Sequence, residues 1–335
     1  MKHCFLHVGF HKTATTSFQL TLQHNRKRLK QEGIVLPKFR SKKHGYSSNH
    51  SRQIKDLFST EAQHLWREEG SKENNIRKGN SLSDHFHGLN ELLNQDQSIL
   101  ISGEGISTMP EQSLIKLKSE IERHGFLIKP FALVRSPYAY ITSALQQTIK
   151  NGKYHPLVGL IPGQNDELNK SLKIPSSIKS INTLNRIFGE KMTYIPFQTA
   201  VNHSNGPVLF LLQEVLQLKH ADQYQLINAN ESKSNVGTRL KNFLNQQHPH
   251  SDQGELRNLF KTISHKTNPS KFLLTQKEFN QIESEFNKVK REMKRKLGKD
   301  FIEEKISFAS EFTTEESIQL LSQLSQRLYG FAISA

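Results

Sequence analysis

The chain has 335 residues, which is long enough for one large domain or two ordinary ones. Its single cysteine excludes a disulfide framework and argues against a cysteine-based zinc site, and no apolar run approaches the roughly 20 residues that span a bilayer. The formal net charge of +15 favours a polyanionic partner: a nucleotide, a nucleic acid, an acidic glycan or an anionic membrane surface.

The first predicted element is a short apolar strand, Cys4–Val8, that leads into a loop with one glycine and one lysine. Gly9 follows the strand, Lys12 comes next, and a cluster of hydroxyl side chains opens helix-compatible sequence that runs to about Leu29. Backbone N–H groups at a helix N-terminus point at an anion, and a lysine adds a full positive charge. The stretch therefore predicts a phosphate-binding loop. Its candidate contacts are Gly9, Phe10, His11, Lys12, Thr13, Ala14, Thr15, Thr16 and Ser17.

A second strand is predicted at Ile34–Leu36, and the region after it is less regular. Residues 38–95 are rich in Ser, His, Lys and Asn, which is typical of surface segments. A helix is predicted near residues 53–69, and residues 70–80 read as a surface loop.

Two further apolar runs end in residues that can carry chemistry. Ser98–Ser102 is typical of a buried strand, and Glu104 follows it between two glycines. Residues 130–134 form another buried strand, and Arg135 comes directly after it, before a helix over 138–150. Because ligands bind beyond the carboxyl ends of the strands in a parallel sheet, Glu104 and Arg135 are candidate site residues.

The rest of the chain completes an alternating pattern. A fifth strand is predicted at residues 192–196, a loop or insertion at 151–178, and a helix with a strongly basic outer face at 276–297. A capping box at Thr275 opens that helix, and a second one is predicted at residues 313–316. Strands alternating with helices predict an α/β fold with a central, mostly parallel sheet flanked by helices, and a helical C-terminal part.

The loop spacing differs from that of a nucleoside-triphosphate site. A Walker A loop has the pattern Gly-x-x-x-x-Gly-Lys-Ser/Thr, whereas here Gly9 is followed by Lys12 and then by Thr13, Thr15 and Thr16. This pattern resembles the 5′-phosphosulfate loop of sulfotransferases that use 3′-phosphoadenosine 5′-phosphosulfate (PAPS), and most of all the bacterial, carbohydrate-modifying kind. Ala14 stands where that family commonly has glycine.

A second landmark agrees with the resemblance, which spans most of residues 1–300. The family binds the 3′-phosphate with an arginine at the end of a later strand and a serine about two helical turns on. Arg135 and Ser143, eight residues apart, match these positions. The resemblance implies a P-loop-like three-layer fold in a single domain over residues 1–335. Its implied nucleotide-binding core is about 1–37 and 98–200, with acceptor-side insertions at 38–95 and 151–178 and a helical part at 237–335.

The resemblance also implies the roles of individual residues. Lys12 would neutralise charge on the leaving phosphate, and no metal is required. The acceptor hydroxyl needs a base: Glu104 is favoured, with His44 and His50 as alternatives. His11 is expected to touch the nucleotide or the acceptor, and Gln147 joins His44 and His50 as candidate acceptor contacts.

The sequence thus predicts a cytoplasmic enzyme that sulfates a hydroxyl, most simply on a sugar of a bacterial glycan or glycolipid. Peripheral membrane contact is compatible with the basic helix at residues 276–297, and a nucleic-acid partner is not expected. One competing hypothesis is a P-loop kinase or other ATP-dependent phosphotransferase. The other is a non-enzymatic protein that binds nucleic acid or another polyanion through its net charge.

Overall fold

The computed structural model describes residues 1–40, 45–59, 72–160, 174–229, 234–247 and 271–310, with isolated positions at Ser322 and Ser325; of residues 72–81 it describes only the helical backbone. The chain forms two compact units. The first consists of Met1–Arg135 and Ser177–Asn230, and the second of Ser136–Ser176 and Glu231–Ala335. The single domain expected over residues 1–335 stays a prediction.

The first unit is built on a five-stranded parallel sheet. Its strands are β1 (His3–His7), β2 (Ile34–Val35), β3 (Ser98–Ser102), β4 (Leu127–Val134) and β5 (Thr193–Pro196), in the order β2-β3-β1-β4-β5. The central strand β1 places Leu6 opposite Ile101 of β3 and Pro130 of β4. The predicted α/β fold with a parallel sheet is therefore confirmed, and all five predicted strands are present.

Helices pack their apolar faces against the apolar strands of this sheet. The helices of the first unit are α1 (Thr15–His24), α2 (Arg26–Gln31), α3 (Ser51–Phe58), α4 (Lys72–Leu93), α5 (Glu111–Arg123), α7 (Ile178–Phe188), α8 (Phe197–Val201) and α9 (Gly206–Phe210). Phe18 and Leu22 of α1 and Leu29 of α2 are buried in the same hydrophobic cluster as Phe5 and Leu100 of the sheet. The helix α9 continues as a π-helical turn at Leu211–Val215.

Two helix predictions in this unit need correction. The single helix expected up to Leu29 is two helices that meet at Asn25, whose side chain donates to Thr21 O (2.8 Å) at the junction. The surface loop expected at residues 70–80 is wrong for residues 72–80, which are helical. That helix, α4, ends in the buried residues Leu89, Leu92 and Leu93, so packing of its C-terminal half outweighs its polar sequence.

The regular secondary structure of the second unit, in its described residues, is mainly helical. It contains α6 (Pro137–Lys150), α10 (Asn235–Gln247), α11 (Gln276–Asn280) and α12 (Glu283–Leu297). The capping box predicted at Thr275 is present, since Thr275 and Glu278 exchange hydrogen bonds. The long helix expected at 276–297 is interrupted between α11 and α12, and the second predicted capping box lies outside the described residues.

A buried ion pair lies in this second unit. Arg239 donates to both carboxylate oxygens of Glu278, at 2.6 and 2.8 Å, and both side chains are almost completely excluded from solvent. The other N–H groups of Arg239 donate to Asn235 Oδ1 and to the carbonyls of Gly159 and Leu273. The carboxylate of Glu278 also accepts from the backbone N–H groups of Gly159 and Thr275. Three separate chain segments, around Gly159, Arg239 and Glu278, therefore converge on one pair.

Candidate functional site

Three loops of the first unit meet at the carboxyl edge of the sheet. They follow the adjacent strands β3, β1 and β4, and they carry Glu104, Lys12 and Arg135 respectively. Gly103 N donates to His7 O (3.1 Å), and Arg135 Nε donates to Lys12 O. Neighbouring parallel strands end at the same edge of a sheet, so residues far apart in the chain share one site.

The loop between β1 and α1 has an unusual backbone. Lys12 and Ala14 both lie in the left-handed region, with φ of 67° and 57°. The Thr13 hydroxyl donates to Phe10 O (2.7 Å), and the Thr15 hydroxyl lies 3.4 Å from the same oxygen. These contacts close the loop into a tight turn. Two of the hydroxyls expected to bind phosphate therefore have a partner within the loop, and their contact with a phosphate stays a prediction.

Other predicted contacts of this loop also have structural partners. A Cβ atom at Gly9 would lie 2.9 Å from Thr15 Cγ2, so a side chain there would push the loop away from α1. The Phe10 side chain is buried. Ser17 Oγ accepts from Ala229 N (3.0 Å), which ties α1 to the segment after β5. Thr16 is the half-buried hydroxyl of this cluster.

The start of α1 has the features of an anion site. An α-helix leaves the N–H groups of its first turn without intrahelical acceptors. Here the N-cap residue is Ala14, whose methyl side chain cannot accept a hydrogen bond, and the first helical bond runs from Phe18 N to Ala14 O (3.0 Å). The backbone N–H groups of Thr15, Thr16 and Ser17 thus combine with the helix dipole to favour a bound anion.

The left-handed conformation of Ala14 makes a testable prediction about stability. A non-glycine residue in this region costs roughly 1 kcal/mol, which glycine avoids. We expect Ala14→Gly to raise the free energy of unfolding by up to about 1 kcal/mol, measured by urea denaturation. Ala144→Gly within α6 is the matched control and should lower it by about 0.5–1 kcal/mol. A destabilising Ala14→Gly change would contradict the assigned backbone strain.

Arg135 is held rigidly where β4 ends. Its guanidinium carbon lies 4.3 Å from the ring centroid of Phe197, and its Nε donates to Lys12 O. Burial lowers the pKa of Arg135 to about 10, so the guanidinium remains charged at neutral pH. Phe197 thus covers one face of the guanidinium, and Lys12 O accepts from one of its donors. These two contacts fix the orientation of the remaining N–H donors of Arg135.

Glu104 lies on the other side of the same loop. Its Oε2 atom is 3.4 Å from His11 Nδ1. Ser107 Oγ contacts both Gly9 O (2.9 Å) and Glu104 O (3.0 Å), so one hydroxyl links the two loops. Sequence reasoning missed Ser107, because nothing in its local sequence marks it as a link.

The glycines beside Glu104 are explained by the approach of α3. A Cβ atom at Gly103 would lie 2.9 Å from the backbone nitrogen of Ser51, and Gly105 N donates to Ser51 Oγ (2.8 Å). The start of α3 therefore packs directly on the turn that carries Glu104. The sequence placed Glu104 between two glycines, and the structure explains both glycines by this close backbone contact.

His50, a candidate acceptor contact, is buried with 1% of its surface exposed. Its Nδ1 accepts from Ser102 N (3.0 Å), and its own N–H donates to Ser102 O (2.9 Å). These bonds attach His50 to the end of β3, and its expected contact with an acceptor stays a prediction. His44 lies outside the described residues.

Ser143 and Gln147, the remaining candidates, both lie on α6 of the second unit. Ser143 is half-buried, and Gln147 Nε2 donates to Asn151 Oδ1 (2.7 Å). Their expected contacts with the nucleotide and the acceptor stay predictions.

A second buried histidine, His7, lies under the loop and was not predicted as a site residue. Its Nδ1 is 2.8 Å from Ser102 Oγ, which also accepts from Gln19 Nε2 (3.1 Å). The ring stacks on Phe131 with centroids 5.0 Å apart. This polar cluster connects the ends of β1 and β3 with α1. The sequence signal for this cluster was His7 itself, a polar residue inside an apolar strand.

These two histidines predict a loss of stability in acid. Burial lowers the pKa of His7 and of His50 to about 3, from the 6.5 of an exposed imidazole. The unfolded chain therefore binds protons below pH 6.5 that the folded chain excludes, and stability falls as the pH drops from 6.5 towards 3. At pH 5 the loss is about 2 kcal/mol for each histidine.

Urea denaturation at pH 7 and pH 5 measures this effect. His7→Gln, which cannot be protonated, should lose less stability between the two pH values than the wild type does. An unchanged difference between the two pH values in this variant would contradict the assignment.

Comparisons with known proteins found no matching family model, no matching curated protein and no matching solved structure. Within the described parts of the chain, no helix has both the length and the apolar character needed to cross a membrane. The same residues contain no cluster of three or more His, Cys, Asp or Glu side chains arranged to hold a metal ion.

Proposed function

We propose that this protein is a PAPS-dependent sulfotransferase with a P-loop-like nucleotide site, acting on a hydroxyl of a sugar in a bacterial glycan or glycolipid. The observation that carries the proposal is the junction of Arg135 with the loop at Lys12. It fixes the Arg135 side chain, just after β4, to the backbone of Lys12 on the loop between β1 and α1, and the first-turn N–H groups of α1 favour an anion. An adenosine nucleotide with phosphates at both the 5′ and 3′ positions fits these two cationic residues.

Sulfuryl transfer requires the protein mainly to position the reacting groups and to supply positive charge. Sulfuryl transfer moves a group from the 5′-phosphate to an acceptor oxygen, and negative charge grows on the departing phosphate. Lys12 and the N–H groups of α1 would hold that phosphate, and Arg135 the 3′-phosphate. Glu104, at the end of the neighbouring strand β3, is the candidate base for the acceptor hydroxyl.

The test has a binding arm and a transfer arm. We expect 3′,5′-adenosine bisphosphate to raise the melting temperature of the wild type, and Arg135→Lys to weaken this effect because lysine lacks the planar fork. Arg123→Lys, on the exposed end of α5, is the control and should bind normally. The transfer arm measures labelled sulfate moved from PAPS to a panel of glycans, glycolipids and phenols.

Two results would decide against the proposal. Stabilisation by ATP with Mg²⁺ but not by adenosine bisphosphate would favour a phosphotransferase. Binding that depends steeply on salt and survives removal of Lys12 would favour a polyanion-binding protein.

A further inference from the structure

His11 and Glu104 form a pair at the open edge of the candidate site. The Nδ1 atom of His11 lies 3.4 Å from Glu104 Oε2, and the side chains are 54% and 26% exposed. We propose that His11, not Glu104, takes the proton from the acceptor hydroxyl, and that Glu104 acts as a positioning residue for the imidazole. The inference rests on the proposed sulfuryl transfer and identifies which group of that site is the base.

The direction of the contact assigns the roles within the pair. A carboxylate can only accept, so its charge favours the tautomer with the hydrogen on Nδ1, the ring nitrogen that faces it. In the neutral imidazole the other nitrogen, Nε2, then has a free lone pair and can accept a proton. His11 is also the more exposed of the two side chains, so an acceptor arriving from solvent meets the imidazole before the carboxylate.

The backbone around the pair holds the two side chains together. Gly103 N donates to His7 O, and Ser107 Oγ contacts the carbonyls of both Gly9 and Glu104. A Cβ atom at Gly9 would lie 3.5 Å from Glu104 Cα, so the two loops approach each other closely. The separation of His11 and Glu104 is therefore set by the same strands that set the anion loop.

His11 is also next to Lys12 in the chain, on the loop that Thr13 and Arg135 bond to. The group that accepts the proton and the group that stabilises the leaving phosphate are thus positioned together. The reacting acceptor has to lie beside both of them, and a single loop orients the two functions at once.

The step balances with the groups present. The acceptor O–H bond breaks and its proton goes to His11 Nε2, while the acceptor oxygen forms a bond to sulfur. The bond from sulfur to the 5′-phosphate oxygen breaks, and the phosphate leaves with the electron pair. Glu104 stabilises the imidazolium that results, and solvent later removes the proton.

Chemical rescue tests the assignment. In His11→Ala we expect transfer from PAPS to fall by about 10²–10⁴-fold, the usual contribution of a general base. Added imidazole should restore part of the rate in a saturable way. Glu104→Gln should lower kcat with little change in KM for PAPS, because it alters the orientation of His11 and not nucleotide binding.

His124→Ala is the matched control, since His124 also pairs with a glutamate, Glu120, at 3.7 Å, but on α5. It should retain full activity and respond to imidazole no more than the wild type does. Stabilisation of His11→Ala by adenosine bisphosphate, measured by thermal shift, checks that the fold and the anion loop are intact.

The outcomes separate the two proposals. An active wild type with a His11→Ala variant that imidazole does not restore would overturn the assignment of His11 alone. The same holds for a Glu104→Gly variant restored by formate, because Glu104 would then be the base. A wild type that transfers no sulfate from PAPS to any acceptor of the panel would overturn the proposed function together with this one.

Discussion

Replacing Lys12 with methionine should reduce sulfuryl transfer by about 10³-fold or more while the protein remains folded. Removal of one positioned charge or donor from a site where negative charge develops costs about 10²–10³-fold, and a transferred phosphoryl group depends on such charges still more strongly. Lys12 is half-buried on a loop fixed by Arg135, so a water molecule in its place cannot supply the same charge. Methionine keeps the length of the apolar stem.

Lys129→Met is the control for this experiment. Lys129 is exposed in the amino half of β4, next to Phe5, and is far from the carboxyl edge of the sheet. It should leave the rate of transfer unchanged although the net charge falls by the same amount. Near-normal turnover in Lys12→Met, measured with labelled PAPS, would remove the central residue of the proposed mechanism.

The largest effect on stability is expected at the buried ion pair of the second unit. Arg239→Met should lower the free energy of unfolding by about 3–5 kcal/mol, because it leaves the Glu278 carboxylate buried without its charged partner. Three of the acceptors of Arg239, Asn235 Oδ1 and the carbonyls of Gly159 and Leu273, also lose their donor. Urea denaturation followed by circular dichroism measures the change.

A double variant separates the ion pair from simple loss of packing. Replacing Glu278 with leucine in the Arg239→Met background should be less destabilising than the sum of the two single changes, since no lone charge remains. The control is Arg186→Met, which breaks the exposed pair with Glu111 and should leave the urea midpoint nearly unchanged. Additive effects of the two core variants would show that the ion pair does not couple these residues.

The parallel sheet could be predicted from local patterns. The runs at β1, β3 and β4 are mainly apolar because most of their residues are buried, and glycine, glutamate or arginine follows each run. Parallel pairing needs a long crossover connection between the strands, which is usually a helix, and helices separate these runs. The sequence also predicted that Gly9, Glu104 and Arg135 lie at one edge of the sheet, because parallel strands have their carboxyl ends at the same edge.

The roles of individual polar side chains could not be predicted in this way. Thr13 and Thr15 were expected to bind phosphate, but their hydroxyls face the carbonyl of Phe10. His50 was a candidate acceptor contact, and it is buried against Ser102, 52 residues away in the chain. A hydroxyl or an imidazole has the same local sequence whether it faces a ligand or a backbone group, so only its neighbours in space distinguish the two.

What the amino-acid sequence established is the order of the strands along the chain, the glycine and lysine loop before α1 and the resemblance on which the proposed function depends. These features are local, because apolar runs, glycine turns and helix starts depend on residues a few positions apart. The tertiary structure alone decided that Ala14 is left-handed, that Ser107 links two loops and that His11 faces Glu104. Each of these depends on how loops from different strands meet at one edge of the sheet. The distances between those loops are not encoded in any short stretch of the chain.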